Sequence, residues 1–172
     1  MNLSKSRMAL TGLYLLASPL VMAADNSTIN ITGNVLASPC VVDATNSVMN
    51  IKLDDIQATA LSTAGSYSPW KTFSITLASC PASTTNVDMT LSGTQDPQDA
   101  TRYKNTGAAT NLSIELTDNA GTNLGNGKKS SVAVNSSTKQ AVFTLKTRAY
   151  SATGSVMPGS IAGTVLATFT YR

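Results

Sequence analysis

The run Phe73-Ser74-Ile75-Thr76-Leu77-Ala78, leading into Ser79-Cys80-Pro81, carries an apolar side chain at every second position. A period of two places Phe73, Ile75 and Leu77 on one face of an extended strand and Ser74 and Thr76 on the other. The same alternation recurs outward in both directions. It marks Ile29-Ile31-Gly33-Val35, Met49-Ile51-Leu53, Val87-Met89-Leu91, Leu112-Ile114-Leu116, Ala141-Phe143-Leu145 and Val165-Ala167-Phe169-Tyr171. Turn-forming stretches separate these runs at 82–86, 92–98, 119–127, 135–138 and 154–159. Only 12% of the chain is charged, and no long segment shows the 3.6-residue period of an amphipathic helix. Short strands with one apolar face predict an all-β, antiparallel sandwich in a single domain. Residues 54–66 lack the alternation and read as a loop with a short helical turn. Cys80 falls out of phase with Phe73, Ile75 and Leu77, so the strand is expected to end or bulge just before it.

The N-terminus has a different character. Lys5 and Arg7 precede an apolar run from Met8 to Met22, which ends on small residues at Val21-Met22-Ala23. This is the pattern of a cleavable secretory signal over residues 1–23, and the run is short and interrupted for a membrane anchor. Cleavage after Ala23 removes two of the 12 basic residues and leaves a chain nearly balanced against its 9 acidic ones. No basic block extends beyond Lys128-Lys129, which reads as a solvated hairpin tip, so nothing points to nucleic acid. Cys40 and Cys80 are the only cysteines. In an exported chain a lone pair most economically forms one disulfide, whereas free thiols or half of a metal site are the alternatives.

The residues offer little for catalysis. With no histidine in the chain, there is no Ser-His-Asp or Cys-His arrangement and few metal ligands. Asp54-Asp55 point to opposite sides of an extended segment, and Asp96-Pro97-Gln98-Asp99 reads as a turn. Gly121 to Ser130 fails the spacing of a phosphate-binding loop. The Asn-X-Ser/Thr sites at Asn26, Asn30, Asn111 and Asn135 follow from composition alone. Tyr67 and Trp70 can form either a sugar-stacking platform or simple edge packing, and packing is the commoner use. No enzyme activity, cofactor, metal or small-molecule substrate is expected.

Two features remain at the ends. Ile29, Ile31 and Val35 would each gain about 1.5–3 kcal/mol from burial, and Gly33 on their face suggests close approach of another backbone. The other end stops inside a strand pattern at Tyr171-Arg172. Together with the Ala24-Asp25 start, Pro39-Cys40, Trp70 ahead of the strand into Cys80-Pro81, Tyr103-Lys104-Asn105, the Asp118-Asn119-Ala120-Gly121 turn and the penultimate Tyr171, these features carry a resemblance. The chain resembles pilins of the chaperone–usher pathway, most closely the minor tip-fibrillum (adaptor) subunits of type 1 fimbriae. That resemblance implies an incomplete immunoglobulin-like sandwich over residues 39–172, lacking its last strand. A donor strand from another subunit, or a periplasmic chaperone, would complete it.

On this resemblance residues 24–38 form an N-terminal donor strand, with Ile29, Ile31 and Val35 as plugs and Gly33 over a shallow part of a neighbour's groove. Ser27 stands where an aliphatic residue would suit the outermost pocket. Val165, Ala167, Phe169 and Tyr171 would line this subunit's own groove, and the Arg172 carboxylate would meet the chaperone. The implied partners are neighbouring fimbrial subunits, the chaperone and an outer-membrane usher, and the implied location is a fimbria on the bacterial surface. A major rod subunit shares the same physics. A carbohydrate-binding adhesin would need a separate lectin domain, for which residues 24–172 leave no room. Expression of the chain with candidate chaperones, followed by co-purification, is the direct test.

Overall fold

A computed structural model describes residues 30–35, 39–45, 47 and 50–172. The proposed signal and Ile29, Ser27 and Met49 lie outside the described residues. The chain divides into Met1–Asn34 and Val35–Arg172. In the first unit, residues 30–34 are exposed and irregular.

The second unit is an antiparallel two-sheet sandwich. Its strands are β1 (Val41–Val42), β2 (Ser66–Tyr67), β3 (Lys71–Ala78), β4 (Asn86–Gly93), β5 (Tyr103–Lys104), β6 (Ser113–Asp118), β7 (Lys129–Ala133), β8 (Ala141–Ser151) and β9 (Val165–Tyr171). One sheet runs β1-β3-β8-β6-β5, with β2 paired to the far end of β8, and the other runs β7-β4-β9. Alternation sets the register. Phe73, Ile75 and Leu77 lie opposite Leu145, Phe143 and Ala141, and all six are buried. Met89 and Leu91 lie opposite Phe169 and Ala167 in the other sheet. The two inner faces meet where the Phe143 and Phe169 rings stand 5.8 Å apart. Full burial of such side chains stabilises the sandwich by about 1.5–3 kcal/mol each.

The phase break before Cys80 has a local cause. β3 ends at Ala78, and Ser79 takes a left-handed conformation (φ 54°) that turns Cys80 back into the core. The turn expected within 54–66 is a short 3₁₀ helix, Ala58–Leu61, whose Leu61 is buried. Asp96 closes its turn by accepting hydrogen bonds from the Gln98 and Asp99 main-chain N–H groups. β7 lacks an alternating signature, because Val132 is its one large apolar residue.

Two alternating runs do not form strands. Residues 30–35 and 50–53 have no ladder partner among the described residues. Ile31 and Val35 are fully exposed, at 91% and 101%. Alternation makes a strand only where a neighbouring strand accepts its main-chain hydrogen bonds, and neither run has one among the described residues.

Tyr103, packed inside β5, donates its hydroxyl to the Leu124 carbonyl at 2.9 Å, and burial pushes its pKa from 10.0 up to about 12. A raised folded-state value means that stability is intact below pH 10 and is lost as pH climbs towards 12. Urea denaturation across this window should show a fall of up to about 3 kcal/mol. Tyr103→Phe should remove most of that alkaline loss, leaving the part from Tyr171, and should cost about 1 kcal/mol at neutral pH.

Candidate functional site

The second sheet ends at β9, whose outer edge pairs with no strand among the described residues. Inward-facing Val165, Ala167, Phe169 and Tyr171 are consequently only half-buried, although Val87, Met89 and Leu91 across the same ladder are at most 2% exposed. A core strand has been deprived of cover on one side.

Beside that edge runs a groove of about 1350 Å³. Its floor is Phe73, Ile75, Leu91, Ile114, Leu116 and Leu145, drawn from both sheets. β9 contributes Val165, Ala167 and Phe169 to one wall, and the irregular residues 50–58 form the other. The volume exceeds the range of roughly 300–1,000 Å³ usual for small-molecule sites. An apolar trough flanked by unpaired main-chain donors and acceptors is shaped for an extended peptide, whose backbone would join β9 and whose alternate side chains would enter the floor.

Residues 156–164 close one end of the groove. Asn105 clips this strap: its side-chain oxygen accepts from the Ala162 N–H at 2.8 Å, and its amide donates to the Ala109 carbonyl at 2.8 Å. The strap lies so close to residues 107–109 that a Cβ on Gly107 would stand 2.1 Å from the Ser160 carbonyl oxygen. Glycine is required at that crossing.

At the other end, the Cys40–Cys80 disulfide ties the start of the domain to the end of β3. It sets Cys40 beside β9, where the Tyr171 hydroxyl lies 3.4 Å from the Cys40 carbonyl. Tyr171 therefore stands at the rim, beyond the groove lining, and burial raises its pKa. Arg172 does not enter the groove either. Its carbonyl accepts from the Thr85 and Asn86 N–H groups at 2.6 and 3.0 Å, and its guanidinium pairs with buried Asp88. Of the expected donor residues, Ile31 and Val35 are exposed, and a Cβ on Gly33 would meet nothing within 4 Å.

The candidate carboxylates are used structurally. Asp54 pairs with Lys71 at 3.1 Å, and Asp99 with Arg102. No cluster of three or more metal-ligating side chains occurs among the described residues.

The family model described as "Fimbrial protein" matches residues 29–172. The chain is a member of the fimbrial protein family. This fimbrial protein is 35% identical to Protein FimG of Escherichia coli over 171 residues, covering 99% of each chain. It is 36% identical over 148 residues to the S-fimbrial adhesin protein SfaS of Escherichia coli, covering 86% of each. Among solved structures it superposes on the P pilus rod subunit PapA with a TM-score of 0.66 at 18% identity, covering 78% of this chain and 100% of that one. A subunit of a chaperone–usher pilus gives 0.64 at 15% identity, covering 88% and 99%. The fold is thus the immunoglobulin-like one of chaperone–usher pilins, and the fimbrial protein is a pilus subunit that assembles with neighbouring subunits after export through the periplasm.

The disulfide closes a loop spanning 40 positions. Its replacement by Cys40→Ala with Cys80→Ala should lower unfolding stability by about 4 kcal/mol in the chain-entropy model. Denaturant titration of the two proteins, each with the groove filled by the same partner, measures the difference.

Proposed function

We propose that this fimbrial protein is a minor, adaptor-type subunit that polymerises by donor-strand exchange and has no catalytic role. The observation that carries this reading is the uncovered edge of β9 above an apolar groove, in a chain that also holds an unpaired alternating segment. Residues 24–38 are the donor, with Ile29, Ile31 and Val35 as plugs and Gly33 over a shallow part of the neighbour's floor. Val165, Ala167 and Phe169 belong to the acceptor, and Tyr171 and Arg172 mark its rim, where a periplasmic chaperone would take hold before an outer-membrane usher exchanges it.

Chain direction favours exchange between subunits. The segment ending at Cys40 reaches the domain beside Tyr171, so entering its own groove would make it run parallel to β9. A strand from a second subunit is free to enter antiparallel, the more stable pairing. Short spacing between Val35 and Cys40 leaves little slack for a chain to double back.

Without a partner strand, the chain should self-associate or precipitate on expression. A synthetic N-terminal peptide from a cognate subunit should raise its Tm by well over 10 °C, since filling several apolar pockets contributes several kcal/mol. No rise with any subunit's N-terminal peptide would refute the acceptor assignment. Gly33→Leu should stop or slow fibre growth while co-purification with the chaperone persists, and normal fibres from that variant would remove Gly33 from the donor register.

A further inference from the structure

Outside the groove, the other side of the same wall forms a second recess. It lies between residues 53–57 and the corner from Tyr67 to Lys71, and holds about 230 Å³. We propose that this recess binds a neutral saccharide unit, a function that goes beyond strand exchange.

Its aromatic rings are placed by an apparatus the core does not need. Tyr67 and Trp70 line the recess and are 57% and 39% exposed. The Arg148 guanidinium stacks on both, 3.8 Å from the Tyr67 centroid and 4.1 Å from that of Trp70. Arg148 is held in turn by Glu115, whose other oxygen takes Arg102 at 3.2 Å, and Arg102 also pairs with Asp99 and stacks on Tyr150. These side chains stand on the outer face of the first sheet, away from the Leu145 side, and the carboxylate and both guanidiniums are largely buried. Burying such a chain of charges is costly. What it achieves locally is two rings fixed in orientation before any ligand arrives, which lowers the entropy lost on binding.

The polar lining selects the ligand class. Asp54 pairs with Lys71 at 3.1 Å, Arg148 is matched by Glu115, and Asp55 is left as the one net negative charge of the lining. That net negative charge disfavours an anion. A quaternary ammonium ligand would compete with Arg148, which already supplies a cation to both rings. Gln57 both donates and accepts, the carboxylates accept, and Lys71 donates. Hydroxyls on a pyranose ring do both, while its C–H face stacks on an aromatic ring. The volume suits one such ring.

Trp70 is the only tryptophan, so its fluorescence reports directly on the recess. Because residues 53–57 also line the groove, the full chain is titrated twice, with the N-terminal peptide of a cognate subunit and as its chaperone complex. The probes are the methyl glycosides of glucose, galactose and mannose, and N-acetylglucosamine. At least one should give a saturable change with Kd of about 1–10 mM. The pair Asp55→Asn with Gln57→Ala should weaken it about tenfold with an unchanged circular dichroism spectrum. Saturation-transfer NMR on Trp70→Ala should show the sugar signal lost. No saturable response to any of the four in either preparation would overturn the proposal, as would saturation by tetramethylammonium alone. The Tm shift caused by the peptide reports groove filling separately, so failure of this site is distinguishable from failure of strand exchange.

Discussion

A sheet with one strand too few governs this molecule. β9 is hydrogen-bonded to β4 on one side and to no described strand on the other, and its inner side chains share a core with β3, β6 and β8 without full cover. The deficit is both apolar and polar, because side chains lack neighbours and main-chain groups lack ladder partners. No rearrangement of loops repairs both at once, whereas one extended segment does. The rest of the chain defines the space that such a segment would occupy. Residues 50–58 form a wall, the Asn105-clipped strap closes one end, and the disulfide fixes the other.

Much of the sandwich was legible because its interior is written in period two. The runs at 73–77, 87–91, 141–145 and 165–171 all became strands with the anticipated residues inside, since each has a neighbour of matching pattern. Ser79 explains the phase of Cys80 through one left-handed residue, which leaves only a discontinuity in the sequence. The same spacing at 50–53 and 30–35 forms no strand here, and no described strand pairs with either run. Periodicity records what a segment can do, and pairing decides what it does in a single chain.

The groove itself was less legible. Its β9 wall followed from the alternation at 165–171, but the strap at 156–164 and the floor residues of β6 are placed by topology. Arg172 illustrates the limit. In the folded chain its guanidinium pairs with Asp88, a buried acid on β4 that no local pattern connects to it. The network joining Asp99, Arg102, Glu115 and Arg148 was equally invisible, since the Asp99–Arg102 turn, Glu115 on β6 and Arg148 on β8 are distant in sequence and meet only in the fold.

The Cys40–Cys80 bond also has a mechanical side. If residues 24–38 join a neighbouring subunit as proposed, tension on them would enter the domain at Cys40. Val41 and Val42, paired to β3 by two residues alone, would peel away under modest load. The covalent link instead delivers the pull to the end of β3, which is zipped to β8 from Lys71 to Leu77 and buried on its inner face. On that linkage, load would act along a ladder as extensive as any in the domain, and the joint between subunits would yield before the subunit itself.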